Sequence, residues 1–290
     1  MNAEEETSFE IIEEVAQDSK FKGLEDKLKA TEKKYNELNR DLEKKVIERT
    51  IEIRKLLKHN IKFIDSLSHD LATPLTPLIS LLPMLKEDVK DPKKKELLDT
   101  CLRNVEYIKR VINNTRELAD ISASNLMLKD EKLKEIIDEL IEKYNATFKN
   151  FNITVENNIA EDILVKSDKN RLLQLLDHIF SNAVNSMSEG GTLSINSKNV
   201  KKDGDAFIQI SVKDTGTGLS SDQCNHIFEE FYKTDDARHK LDSTGLGLAI
   251  CKKIIEKHDG KIWADSHGKD TGTAIHFTIP SNTSVFDRSF

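Results

Sequence analysis

The chain is poor in the features that mark disulfide-braced, metal-clustered or membrane-spanning proteins. Its three cysteines, Cys101, Cys224 and Cys251, are far apart, odd in number and without ligand spacing. Neither a disulfide framework nor a zinc site is expected, and the thiols should be reduced and semi-buried. No apolar run approaches the ~20 residues that cross a bilayer, and the acidic start Met1-Asn2-Ala3-Glu4-Glu5-Glu6 lacks the basic region of a signal peptide. Positive charge is not in excess either: 44 Lys and Arg stand against 51 Asp and Glu, for a net charge of -7. Nucleic acid and anionic membranes are therefore not expected partners. These absences predict a cytoplasmic location, for a whole protein or for the cytosolic portion of a longer one.

Glycine and proline are missing from Leu24 to Pro74, which leaves room for one helix of roughly 75 Å at 1.5 Å per residue. A seam runs along it: Leu24, Leu28, Thr31, Tyr35, Leu38, Leu42, Val46, Arg49, Ile53, Leu56, Asn60, Phe63 and Leu67. Steps of four and three alternate, the period of a coiled coil. Two consecutive steps of four, from Leu38 through Leu42 to Val46, insert a stutter; it is either a soft point for signalling or an imperfection without a role. So long an amphipathic helix needs a partner, most simply a second copy of the chain.

Pro74, Pro77 and Pro83 then fall inside an apolar helical pattern carried by Leu75, Leu78, Leu81, Leu82 and Leu85, where bending is expected. Asp91-Pro92-Lys93-Lys94-Lys95 marks a turn, and a second amphipathic helix carries Leu97, Cys101, Asn104, Ile108, Val111, Thr115 and Leu118. Two such hairpins, one from each chain, would make a four-helix bundle. Past Ile121 the pattern lapses into Ser122, Ser124 and Asn125, as in a hinge. Beyond it, Glu131 to Phe148 is expected to be helical and to open an α/β unit, with strands at Ile153 to Val155, Ile163 to Val165, Thr192 to Ser197, Ala206 to Lys213, Ile262 to Asp265 and Thr273 to Ile279. Its other helices are expected at Arg171 to Met187 and Leu246 to Lys257, with a mobile loop from Thr215 to Thr244.

Three stretches carry chemistry. His69 lies two residues beyond the seam position Leu67, about 200° round the helix, and so faces solvent. Asp70 can orient its ring or take its proton, leaving a nitrogen to act as nucleophile. Thr73, one turn on, can position a water or a substrate oxygen. In Asp177 to Met187, amides and small residues replace leucines, and the Asn182 amide oxygen suits Mg²⁺. Asp214-Thr215-Gly216-Thr217-Gly218 follows a strand, its carboxylate able to accept from an exocyclic amine. Gly245-Leu246-Gly247-Leu248-Ala249 opens a helix and offers amides to an anion.

In this order the motifs resemble those of the sensor histidine kinases, over about Phe63 to Pro280. Ser68-His69-Asp70 with Thr73-Pro74-Leu75 resembles the phosphoacceptor box, and His178 to Asn185 the asparagine box. Asp214 to Gly218 resembles the first glycine box, and Ile227-Phe228-Glu229-Glu230-Phe231-Tyr232-Lys233 the phenylalanine box of the nucleotide lid. Thr244-Gly245-Leu246-Gly247-Leu248 resembles the second glycine box, with Gly272-Thr273 as the final element. No Walker P-loop sequence occurs.

The resemblance implies an α plus α/β architecture: a dimeric coiled coil, a helical hairpin forming a four-helix bundle in the dimer, and an α/β sandwich that binds ATP and Mg²⁺. Its expected segments are an acidic start at residues 1–21, a signalling helix at 22–62, the phosphotransfer hairpin at 63–121, a hinge at 122–130, the ATP-binding domain at 131–282 and a tail at 283–290. It also implies that His69 takes the γ-phosphate, Asp70 acts as base, Thr73 supports dephosphorylation of the partner and Asn182 holds Mg²⁺. Asp214 would read adenine; Gly216, Gly218, His178, Asn185, Leu248 and Thr273 complete the nucleotide site, and the Gly245-Leu246-Gly247 backbone binds phosphates. Lys233 and Arg238 would neutralise charge on the transferred group. The expected partners are a second copy and the receiver domain of a response regulator.

The sequence departs from the family where Ala72 replaces a usual Arg, His178 a usual Asn, and Asn185-Ser186 a usual Lys-aromatic pair. The expected activity is ATP-dependent phosphorylation of His69 and transfer to an aspartate of the regulator. The alternatives are a phosphatase of the phosphorylated regulator and a coiled-coil scaffold with a degenerate nucleotide site.

Overall fold

The computed structural model describes the backbone of residues 3–202, 205–234 and 243–281, and side chains from residue 27 onward within those ranges, residues 30 and 202 excepted. The expected tail at 283–290 and Arg238 lie outside the described residues. The chain divides into Met1–His59 and Asn60–Phe290.

The first unit is helical from Ala3 onward and belongs to α1 (Ala3–Asp88). Its seam residues Leu28, Tyr35, Leu38, Leu42, Val46, Ile53 and Leu56 are all at least 51% exposed. No described residue covers them, as expected of a seam that packs against another helix.

In the second unit α1 continues through Pro74, Pro77 and Pro83 to Asp88, so none of the prolines ends the helix. Hydroxyls line this stretch: Thr73, Thr76 and Ser80 each donate to the carbonyl four residues back, at 2.9, 3.0 and 3.2 Å. Such back-bonding is a common companion of helix distortion. Asp91 then caps α2 (Pro92–Ala123) by accepting from Lys93 N.

The hairpin has two apolar faces. Ile61, Ile64, Ser68, Ala72, Leu75, Ile79 and Leu82 are buried or half-buried, and a narrow cleft between the helices is lined by Ala72, Leu75, Thr76 and Ile79 with Lys109, Ile112 and Asn113. Lys86–Asp99 and Arg116–Asp65 ion pairs, at 2.6 and 2.9 Å, tie its two ends. Ala72 therefore faces α2. The second face, with Phe63, Leu67, Leu71, Leu78, Leu81 and Leu85 of α1 and Leu97 and Ile108 of α2, is at least 41% exposed.

The α/β domain follows. Here β1 (Lys129–Lys132) pairs antiparallel with β3 (Leu164–Ser167). The expected helix from Glu131 thus begins two residues later, as α3 (Leu133–Asn150). Four charged residues carry no strand propensity, and pairing with β3 decides the matter. The main sheet has the order β2 (Ile153–Asn157), β4 (Gly191–Lys202), β5 (Asp205–Asp214), β7 (Ala274–Pro280), β6 (Ile262–Asp265), with β2–β4 parallel and the rest antiparallel.

Helices α3, α4 (Lys169–Ser186) and α6 (Gly247–Lys257) contribute Ile137, Leu175, Phe180, Ile250 and Ile254 to the same core as Leu193, Ile210 and Phe277 of the strands, all buried. The strands alternate buried and less buried positions along β7, which is the period-two pattern of a sheet covered on one face. Between β5 and α6 the expected loop contains a short helix, α5 (Ser221–His226), held by a Ser220/Gln223 capping box. Leu118 and Ile121 of α2 also belong to this core, so the last turns of α2 serve the α/β domain rather than the hairpin seam. Of the cysteines, Cys101 is exposed, Cys224 half-buried and Cys251 buried.

Candidate nucleotide and phosphoacceptor site

The end of β5 delivers Asp214, which is buried among β5, α4 and the start of β7. Its Oδ1 accepts from Gly216 N at 2.8 Å and Thr273 N at 3.3 Å, and lies 3.2 Å from Ser186 Oγ. Oδ2 has no partner among the described residues. Burial pushes this carboxyl above its ordinary range, and the hydrogen bonds at Oδ1 oppose that push. A buried carboxylate with one oxygen fixed and the other open is an acceptor for a base's exocyclic amine.

The turn beyond Asp214 fits close backbone approach. Gly218 has φ of +69°, and a β-carbon there would sit 2.1 Å from the Gly268 carbonyl oxygen; only glycine is tolerated. Gly216 abuts Ser186, and Thr273 is buried with its carbonyl accepting from Asp214 N at 2.9 Å.

The second glycine stretch opens α6 with no side-chain cap. First-turn amides at an uncapped N-terminus form an anion site. Leu246, buried, donates its N–H to Thr244 Oγ1 at 3.2 Å, and Leu248 is half-buried. Gly245, at φ +72°, accepts through its carbonyl from Phe231 N at 2.9 Å, which ties Phe231 to the start of α6. Phe231 itself sits at φ +62° and is 60% exposed, a strained conformation for a bulky residue.

On α4, His178 and Asn182 stand one turn apart. Asn182 and Asn185 are exposed and without side-chain partners among the described residues. A free amide oxygen fits a ligand for a hydrated Mg²⁺. His178 differs: its Nε2 lies 3.2 Å from Glu117 Oε1 of α2, and a β-carbon on Gly247 would lie 3.2 Å from its Nδ1. Lys233 likewise points to α2, with Nζ 4.8 Å from the centre of the Tyr107 ring and 3.4 Å from its hydroxyl.

His69 stands on the outer face of α1, its side chain 83% exposed, with Nδ1 3.5 Å from Asp70 Oδ1. Thr73 uses its proton on the His69 carbonyl and keeps lone pairs to accept from a water. The structure thus gathers Asp214, Gly216, Gly218 and Thr273 at the end of β5, and His178, Gly245, Leu246 and Gly247 at the start of α6. No hydrogen bond or ion pair joins His69 to a described residue of either group. The sequence marks Ser186 only as a departure from the resembled family and Thr244 only as the start of the second glycine box, neither as a site residue. Asn114 and Glu117 carry no signal in the sequence.

Comparison with known proteins agrees with this geometry. Residues 167–283 match the family described as histidine kinase-, DNA gyrase B- and HSP90-like ATPase, so the α/β domain is an ATP-binding domain of that class. Residues 59–124 match the His Kinase A phospho-acceptor domain. A phosphoacceptor hairpin followed by such an ATPase domain defines the class, and the chain belongs to the sensor histidine kinases of two-component signalling.

It is 33% identical over 241 residues to the sensor histidine kinase WalK of Bacillus subtilis, covering 81% of this chain and 39% of that protein. To the sensor protein KdpD of Clostridium acetobutylicum it is 31% identical, with 84% and 26% covered. The chain therefore spans about two-fifths or less of the length of these relatives. Its fold is similar to that of full-length ShkA in complex with AMPPNP (TM-score 0.58, 22% identity, 77% of this chain and 46% of that one). It is also similar to histidine kinase ThkA in complex with response regulator protein TrrA (TM-score 0.53, 23% identity, 76% and 61% covered). No helix among the described residues is long and apolar enough to cross a membrane.

Proposed function

We propose that this chain is an ATP-dependent protein histidine kinase that phosphorylates its own His69 and passes the phosphoryl group to an aspartate on a response regulator. The observation that carries the proposal is the division of labour at Asp214, whose Oδ1 is occupied by backbone and Ser186 while Oδ2 stays open. Adenine fits there through its exocyclic amine, and the uncapped start of α6 then receives the phosphates. Asn182 would hold Mg²⁺, which neutralises phosphate charge during transfer.

Asp70 holds the Nδ1 side of the His69 ring, leaving Nε2 with its lone pair free to attack the γ-phosphorus. As the Nε2–P bond forms and the bond to the bridging oxygen breaks, Asp70 takes up the Nδ1 proton and ADP carries away the electron pair.

The exposed second face of the hairpin supports a homodimer, because one chain alone leaves Phe63, Leu67, Leu78 and Leu81 in water. The complex of ThkA with TrrA supports a response regulator as the acceptor. Incubation with γ-labelled ATP and Mg²⁺ tests the proposal: wild type should acquire acid-labile, base-stable label, and His69→Gln should bind ATP without acquiring any. Undiminished label in His69→Gln would overturn it.

A further inference from the structure

One face of α2 and its C-cap Ser124 grip the ATP-binding domain through polar contacts. Asn114 Nδ2 donates to Thr244 Oγ1 at 2.7 Å, and Glu117 lies 3.2 Å from His178. Asp120 accepts from Arg171 at 2.6 Å, and Lys257 donates to the Ser124 carbonyl. Positions 114, 117 and 120 recur at helical spacing, so a single stripe makes the first three, and the C-cap Ser124 continues it through its backbone carbonyl and its hydroxyl, which accepts from Arg171 at 3.1 Å.

The contacts of Asp120 and Ser124 land on the flank of the domain. Those of Asn114 and Glu117 land on its proposed ATP site. Thr244 Oγ1, fixed by Asn114, also accepts the Leu246 N–H, one of the amides assigned to phosphate. His178, fixed by Glu117, lies one turn before Asn182 and against Gly247 at the start of α6. A third group suited to phosphate, Lys233, is held on the Tyr107 ring, two helical turns before Asn114 on α2.

We propose that Asn114 and Glu117 are positioning residues which hold the ATP-binding domain against α2 by its phosphate-binding end, in competition with the triphosphate of the nucleotide. The proposal rests on the reading of this pocket as the ATP site. Its physical basis is twofold. Glu117 brings a carboxylate, through His178, to the positive end of α6, where the phosphate charge would come; like charges in a partly desolvated site repel strongly. The Thr244 hydroxyl, held by Asn114, occupies an amide that phosphate would otherwise take. His178 makes the first effect possible, because the asparagine usual at this position in the resembled family has neither the second ring nitrogen nor the reach. In the gripped arrangement His69 remains 83% exposed; triphosphate binding loosens the grip and frees the domain to approach it.

The test is equilibrium binding to the full chain in the presence of Mg²⁺, with ATP, supplied as its non-transferable β,γ-imido analogue, and adenosine as probes. Glu117→Gln and Asn114→Ala should each bind ATP about fivefold to tenfold more tightly than wild type, with adenosine affinity unchanged. Loss of structure would not tighten binding, and Glu117→Gln keeps the shape of the side chain. Unchanged or weaker ATP binding in both variants overturns the proposal, as does an equal gain for adenosine, which would place the effect at the base pocket. Failure of wild type and both variants to bind ATP at all overturns the reading of the pocket, and the competition with it.

Discussion

The hairpin is richer in leucine and isoleucine than the ATP-binding domain, yet it is the domain that buries them. In the domain, Leu175, Phe180, Ile210, Ile250 and Phe277 are fully buried by their own chain. In the hairpin, Leu71, Leu78, Leu81, Leu85, Leu97 and Ile108 are at least 43% exposed. The domain buries its apolar residues within one chain, and the hairpin leaves a face of them open for the proposed second copy. Their reactive groups follow the same division: Asp214 is immobilised by three groups at one oxygen, whereas His69 is touched by its neighbour Asp70 and left in solvent. A reader of adenine has to be preorganised, and a phosphoacceptor has to be reached by two different partners.

The comparison breaks most sharply in stability. Leu175→Ala should cost ~2–5 kcal/mol at any protein concentration. Leu81→Ala should matter only through the dimer, lowering the melting temperature in proportion to dilution. Denaturation at two concentrations checks both, and a concentration-independent loss for Leu81→Ala would mean that its face is not an interface.

At the site, Asp214→Asn should weaken ATP binding by ~1.5–3 kcal/mol, since a charged acceptor is lost and an amine donor is turned toward the base. Calorimetry reads this directly. Gly218→Ala should cost ~1–3 kcal/mol in stability through backbone strain and its clash with the Gly268 carbonyl; thermal unfolding checks it.

The smallest effect concerns pH. His258 is buried with Nδ1 donating to the Ile254 carbonyl and Nε2 accepting from Asp168 N, so its neutral form is satisfied at both nitrogens. Burial holds its pKa below the ordinary 6.5. The unfolded chain then binds a proton that the folded chain refuses. Stability is full above about pH 6.5 and declines below it, by at most ~1.4 kcal/mol per pH unit, until the folded value is passed. His258→Gln should flatten that decline between pH 7 and 5, as thermal unfolding across that range would show.

Most of the α/β architecture is legible in the sequence, because its strands alternate and its helices carry a clear apolar face. The motifs at Asp214 and Gly245 are legible for a different reason: either glycine pair alone could be a simple turn, but their order and their strand-helix context together point to a site. What escapes is decided by contacts between distant segments. Lys129–Lys132 becomes a strand only because β3 offers it an edge, and Leu118 and Ile121 leave the hairpin pattern only because the α/β core receives them. Glu117 is silent in sequence and Thr244 shows only as the start of a glycine box, since a carboxylate and a hydroxyl gain their contacts here from the partners His178 and Asn114. Ala72 is clarified in part: it faces α2 in the hairpin cleft, where a larger side chain would press on Lys109 and Ile112.

The account stands on the identity of the phosphoacceptor. Three candidates lie within five residues, and they differ in environment: Ser68 is buried at 8% exposure, the Thr73 hydroxyl is bonded to the His69 carbonyl, and His69 is open. Mapping of phosphopeptides from the ATP-treated full chain, under conditions that preserve phosphohistidine, should find the phosphoryl group on His69 alone. Phosphate on Ser68 or Thr73, with His69 unmodified, would contradict the account.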